Sequence, residues 1–178
     1  VLHEVVADAH DQVGPVELRG IAAARAAARE RAWSAGAGPA GDDLIIDFDA
    51  TLINTKADKQ DARPNYKRGY GHHPLLAIIA ETDEVLCAKL RPGNAGSNTA
   101  VDHVTVLADA LDQLPDEWSA GHAVGDDPNL VEHPVLIRAD AGGASHWFAE
   151  ECVARNLDYS FGFHIDHRVR DGVMMVPT

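Results

Sequence analysis

Hydrophobic and polar positions fall into short blocks along the chain, and the period of the pattern changes from block to block. Leu44-Ile45-Ile46 followed by Asp47-Phe48-Asp49-Ala50-Thr51 is an apolar run that ends in acids. That is the pattern of a strand that enters a core and delivers carboxylates near its C-terminal half. Side chains alternate faces along a strand, so Asp47 and Asp49 share one face and Phe48 takes the other. Leu75 to Glu81 and Val85 to Leu90 are two more apolar runs, separated by Thr82-Asp83-Glu84, and predict an antiparallel hairpin. From Thr99 to Leu114 the period lengthens: Val101, Val104, Leu107, Ala108, Leu111 and Leu114 fall on one helical face, with Ser97 or Asn98 placed to cap it. Val135-Leu136-Ile137-Arg138-Ala139-Asp140 repeats the apolar-then-acid pattern. Gly142 and Gly143 let a helix start tightly after it, with Trp147, Phe148, Cys152 and Val153 as its apolar face through Asn156. Leu157 to Phe163 reads as a last strand.

The order is strand, strand, strand, helix, strand, helix, strand. Three antiparallel strands followed by parallel strands with crossover helices make a mixed α/β sheet. Ahead of it, residues 1 to 35 read as two helices lying outside the main core. One contains Leu2, Val5, Val6 and Ala9; the other is the Ala-rich run from Val16 to Trp33, separated from the first by Gly14-Pro15. Ser34 to Gly41 reads as a linker. The expected organisation is a helical segment and linker over residues 1–40 and one α/β domain over residues 41–178. Pro115 to Glu132 is expected to be a polar loop. Asn54 to His73, with Pro64, Gly69 and Gly71, is expected to be a loop or an open hairpin arm, with His72 and His73 structural.

Composition narrows the class. At 178 residues, 46% hydrophobic and 24% charged, the chain suits one well-buried globular domain and is too short for two large ones. No apolar run approaches the roughly 20 residues that span a bilayer, so no membrane association is expected. Cys87 and Cys152 lack metal-site spacing and read as small buried hydrophobes. The net charge of −13 argues against nonspecific coating of nucleic acid. Charge is uneven, however. Lys56, Lys59, Arg63, Lys67 and Arg68 are five of the chain's 15 Lys and Arg, and Tyr66 and Tyr70 among them offer aromatic faces for stacking on bases.

Right-handed crossovers place the strand ending at Asp140 parallel to and beside the strand carrying Asp49, so their carboxylates would meet at one edge. Convergent carboxylates suit a hard cation such as Mg2+, with Asp49, Asp140 and Asp47 as candidate ligands. Such a site performs nuclease or phosphoryl-transfer chemistry. Asp47-Phe48-Asp49-Ala50-Thr51 also fits the Asp-x-Asp-x-Thr loop of haloacid-dehalogenase-like phosphatases, with Asp47 as nucleophile, Asp49 as acid/base and Gly125-Asp126-Asp127 as a later acidic motif.

Four stretches together resemble the group 1 DDE transposases of bacterial insertion sequences: Asp47 to Thr51, Tyr66 to Leu75, Leu90 to Thr99 with its Arg91-Pro92-Gly93-Asn94-Ala95-Gly96-Ser97-Asn98 run, and Ile137 to Asp140 with the following glycines. The resemblance implies a ribonuclease-H-like fold and DNA strand cleavage and transfer with Mg2+ or Mn2+. It makes Asp49 the first catalytic acid and Asp140 the second. DNA contacts are expected from Lys56, Lys59, Arg63, Lys67, Arg68, Arg91 and Asn94. The expected partners are the element's terminal repeats and target DNA, with room for a homodimer, in the bacterial cytoplasm at the nucleoid. The third acid of such enzymes is a Glu on a helix beyond the last core strand, and Glu150 and Glu151 sit on the wrong helix for it. The catalytic domain is therefore expected to be C-terminally incomplete at Thr178 and inactive by itself. An inactive DNA-binding remnant is the third reading.

Overall fold

The computed structural model describes residues 15–96 and 99–176. The helix expected around Leu2, Val5, Val6 and Ala9, and the cap expected from Ser97 or Asn98, lie outside them. Eight strands run in chain order: β1 (Leu44–Ala50), β2 (Ile53–Asn54), β3 (Arg63–Pro64), β4 (Tyr70–His72), β5 (Leu75–Ile79), β6 (Val85–Lys89), β7 (Val135–Ala139) and β8 (Asp158–Phe161). Five form the main sheet in the order β6-β5-β1-β7-β8. β1, β5 and β6 pair antiparallel, whereas β7 lies parallel to β1 and β8 parallel to β7. This is the mixed sheet, three antiparallel strands followed by parallel ones, that the strand order predicted.

β1 sits at the centre because its alternation gives it a fully apolar face. Leu44, Ile46 and Phe48 are buried, Ile45 and Asp47 are half-buried, and Asp49 is exposed. The buried face is covered by α2 (Ala100–Leu111) and α4 (His146–Ala154). Phe148, from α4, is the keystone of that layer, with ring centroids 5.2 Å from Phe48 and 4.9 Å from Phe161. Burial of such a side chain stabilises the fold by about 1.5–3 kcal/mol. On the opposite face Ile45, Leu76, Ile78 and Leu136 are only half-buried. α4 starts where Ser145 turns out of the strand-to-helix loop, and its Oγ accepts from the Phe148 N–H at 3.2 Å.

Four expectations need correction. First, α1 (Pro15–Ala32) is not detached from the sheet domain, although among the described residues it adds no side chain to the hydrophobic core. Arg29 is 4% exposed, donates from Nε to Glu84 at 2.9 Å and from Nη1 to the Gln113 carbonyl at 2.6 Å, and Trp33 packs edge-on against Trp118 at 5.4 Å. A buried guanidinium must be paired, and its partners on the β5–β6 turn and beyond α2 fix the helix to the sheet edge. The helix then ends in a wider turn, Trp33–Ala37, where Gly36 takes φ 88°. Second, the arm is not open: β2, β4 and β3 make a small antiparallel sheet. Third, the polar loop before β7 holds a short helix, α3 (Asp116–Ser119), and a 3-10 turn over Pro128–Leu130. Fourth, a helix absent from the expected order, α5 (His167–Met174), follows β8; Asp166 caps it by accepting from the Arg168 and Val169 N–H groups.

Candidate active site

Parallel register builds the site in two rungs on the half-open face. In the first, Asp47 on β1 lies opposite Arg138 on β7, and Arg138 lies opposite Ser160 on β8. One step on, past the Phe48–Ala139–Phe161 row, come Asp49, Asp140 and Gly162 at the C-terminal ends of the three strands. These residues line an open cleft of about 450 Å³. The two acid-terminated runs therefore converge, with Asp49 and Asp140 on neighbouring parallel strands.

The four charged groups are not equivalent. Both oxygens of Asp47 accept from Arg138, Oδ1 from Nε at 2.6 Å and Oδ2 from Nη2 at 2.7 Å. Asp140 is oriented by its own turn, because the Gly142 N–H donates to Oδ1 at 2.8 Å. Among the described residues, neither Asp49 nor Asp140 enters an ion pair. The turn after Asp140 is set by packing as well. Gly143 sits where an added Cβ would lie 2.4 Å from Cβ of Ala139 and 3.5 Å from Nε2 of His103. His103 is buried beneath it between Phe48 and Phe148, its Nδ1 3.0 Å from the Thr99 carbonyl, and burial holds its pKa below the ordinary imidazole value. As donors for a hard cation the two carboxylates of the second rung fit in chemistry, being oxygen ligands in an open cleft. No group of three or more His, Cys, Asp or Glu with metal-site geometry occurs among the described residues.

The stretch between the acids is held by a buried polar hub. The His73 ring is 2% exposed, with Nδ1 3.0 Å from the Ala95 carbonyl and Nε2 3.3 Å from the carbonyl of Ala50, the residue after Asp49. Thr51 N–H donates to the Pro74 carbonyl at 3.1 Å, a second tie on the β1 exit. Arg91, expected to contact DNA, is instead 3% exposed and faces inward. Its Nε donates to the His73 carbonyl at 2.9 Å, and its Nη1 donates to the Gly96 carbonyl at 3.1 Å and to Asp102 at 3.3 Å. The loop of three acceptors draws the guanidinium out of solvent, so Arg91 shapes the loop that presents Asn94. Asn94 is exposed, as are Lys56, Lys59, Arg63, Lys67 and Arg68. None of these five cations is in an ion pair among the described residues. The arm's tip is formed by Asn65, whose Oδ1 accepts from the Lys67 and Gly69 N–H groups at 3.1 and 2.9 Å. His72 and His73 are structural, as expected, with His72 Nε2 2.9 Å from the Gln60 carbonyl.

The transposase DDE domain group 1 family matches residues 18–178, almost the whole sheet-and-helix unit. The chain belongs to that family. The match starts within α1, in keeping with a transposase domain that includes this helix. No curated protein matches the chain at a significant level. Among solved structures the transposase domain is similar to a chain of the simian T-cell lymphotropic virus intasome in complex with PP2A regulatory subunit B56 gamma, with 15% identity and a TM-score of 0.40. The likeness covers 77% of this chain and 40% of that one, so this chain spans less than half the length of its structural relative.

The phosphatase alternative fails on structure. β5 returns antiparallel to β1, where a doubly wound sheet needs a parallel crossover, and the Asp47 carboxylate is closed off by Arg138. Asp126 and Asp127 precede β7, near Asn156 at the far end of the sheet from Asp49. Sequence reasoning missed Arg138 and the His73–Arg91 hub. Arg138 stands two residues before Asp140 and so shares its face, a signal readable from strand alternation alone.

Proposed function

We propose that this domain cleaves and joins DNA strands at the ends of an insertion sequence, with Asp49 and Asp140 as catalytic acids and Mg2+ or Mn2+ held between them. The observation that carries this reading is their placement abreast at the C-terminal ends of β1 and β7, in an open cleft and free of cationic partners among the described residues. A bound divalent cation would supply charge neutralisation at the scissile phosphate and activation of the attacking oxygen. The chain's own contribution is to hold the two carboxylates still. Asp140 is fixed by the Gly142 N–H, and Asp49 stands one residue before the carbonyl that faces His73.

The arm supports the same reading. It leaves the sheet after Ala50 and re-enters at Leu75, which pairs with Ala50, so its exposed Lys56, Lys59, Arg63, Lys67 and Arg68 stand at the acid end. With Asn94 nearby, they offer phosphate contacts on a chain whose net charge is otherwise repulsive to DNA. Mn2+ binding followed by electron paramagnetic resonance tests the acids: wild type binds, and Asp49→Ala and Asp140→Ala each lose binding. Equal Mn2+ binding in all three proteins would refute the site.

A further inference from the structure

The structure assigns a phosphodiester-binding role to Arg138, a residue preset by Asp47 to receive a DNA phosphate beside the catalytic rung; this rests on reading the cleft as a strand-transfer site. Arg138 presents five N–H donors, and the pair with Asp47 occupies Nε and one face of Nη2. Nη1 makes no hydrogen bond among the described residues, and the side chain is 48% exposed on the cleft floor. An exposed pair contributes modestly to folding, and its bidentate geometry ties two central strands while fixing the guanidinium in one orientation on the cleft floor. Fixing an arginine fork before the ligand arrives does matter for anion recognition, because the side chain's rotamer freedom is already spent.

The charges of the cleft point the same way. Among the described residues, Asp47, Asp49, Asp140 and Arg138 are its only ionisable lining groups. Three carboxylates alone would repel a polyanion strongly, and Arg138 with one divalent cation brings the count to neutral. Placement is also apt. Arg138 and Asp140 are two residues apart on one strand face, about 7 Å by strand rise, so a diester can reach both without displacing either acid. Ser160, opposite Arg138 on β8, adds a hydroxyl to the same rung, and Gly162 leaves the neighbouring rung open on that side.

The test is fluorescence anisotropy of a labelled DNA duplex titrated with the chain in Ca2+ at several salt concentrations. The proteins are wild type, Arg138→Gln, Asp47→Asn and the double variant Asp47→Asn/Arg138→Gln, with folding checked by circular dichroism. Arg138→Gln is expected to weaken binding and to lower the slope of log affinity against log salt by about 0.9, one phosphate contact. The double variant keeps a neutral hydrogen-bonding pair between β1 and β7 and removes the bare Asp47 carboxylate, so some affinity returns, but the slope is expected to stay about 0.9 below wild type because the phosphate contact is still missing. A wild-type slope in Arg138→Gln, or its recovery in the double variant, would overturn the proposal, because Arg138 would then be only a tie between strands. Mn2+ binding by Asp49→Asn separates the underlying reading. If wild type binds no Mn2+ at Asp49 yet Arg138→Gln still loses the slope, the phosphate contact stands and the metal site falls.

Discussion

Replacing Gly143 by alanine should move Asp140 without touching it. The added Cβ would lie 2.4 Å from Cβ of Ala139, and ordinary carbon contacts are about 3.5–4.0 Å, so the two backbones must part by roughly 1 Å or more. Neither methyl has a rotamer through which to escape. Ala139 directly precedes Asp140, and the Gly143 N–H donates to the Asp140 carbonyl at 3.0 Å, so the displacement falls on the Asp140 turn from both sides. Overpacking of this kind costs about 1–3 kcal/mol. The assay is urea unfolding by tryptophan fluorescence, paired with Mn2+ titration of the same samples. Ala139→Gly removes the opposing methyl; alone it should cost about 0.5–1 kcal/mol through backbone entropy, and combined with Gly143→Ala it should recover most of the loss. Mn2+ affinity should fall in Gly143→Ala and return in the double variant. An unchanged unfolding midpoint in Gly143→Ala, or a loss that persists in full beside Ala139→Gly, would refute the reasoning.

Arg29→Ala should lower stability by roughly 2–3 kcal/mol, below the upper range for broken buried pairs because Glu84 stays partly hydrated. An unshifted urea midpoint would show that α1 unfolds apart from the sheet. Acid sensitivity should trace to Asp102: burial alone would raise its pKa, but hydrogen bonds and charge from Lys89 and Arg91 outweigh this and hold it below the ordinary carboxylate value. Its contribution is then full above the unfolded value of about 4 and is lost as pH falls through the lower folded value. Asp102→Asn should weaken the chain at neutral pH and flatten the acid limb of its stability profile; an acid limb identical to wild type would contradict this.

The acid-ended strands were legible because apolar runs with branched residues have few alternatives, and right-handed crossover then leaves β7 one place to go. Asp47 was not, since its partner lies 91 residues away and only the register brings them together. Arg91 read as a surface cation because charge alone says nothing of the three acceptors, at 5, 11 and 18 residues' separation, that the fold turns toward it. α1 misled for a related reason. Its Ala-rich face carries a weak burial signal, and its anchors are one arginine and one tryptophan whose partners, Glu84, Gln113 and Trp118, belong to distant segments. The arm's strands of two or three residues are too short to show any period.

Two glycines of that arm and its neighbouring loop sit closer than any side chain would permit. A Cβ on Gly71 would fall 2.0 Å from the Ile53 carbonyl oxygen, and one on Gly93 would fall 2.3 Å from that of Arg63 and 2.6 Å from that of Gly71 itself. Backbone rests on backbone there, with no flexible side chain between to absorb a displacement. From Gly93 the same stiffness continues through Arg91 to His73 and on to the Ala50 carbonyl. A load applied at the arm's tip, at Lys67 and Arg68, would therefore be felt as a shift at the end of β1 rather than dissipated in a loose loop.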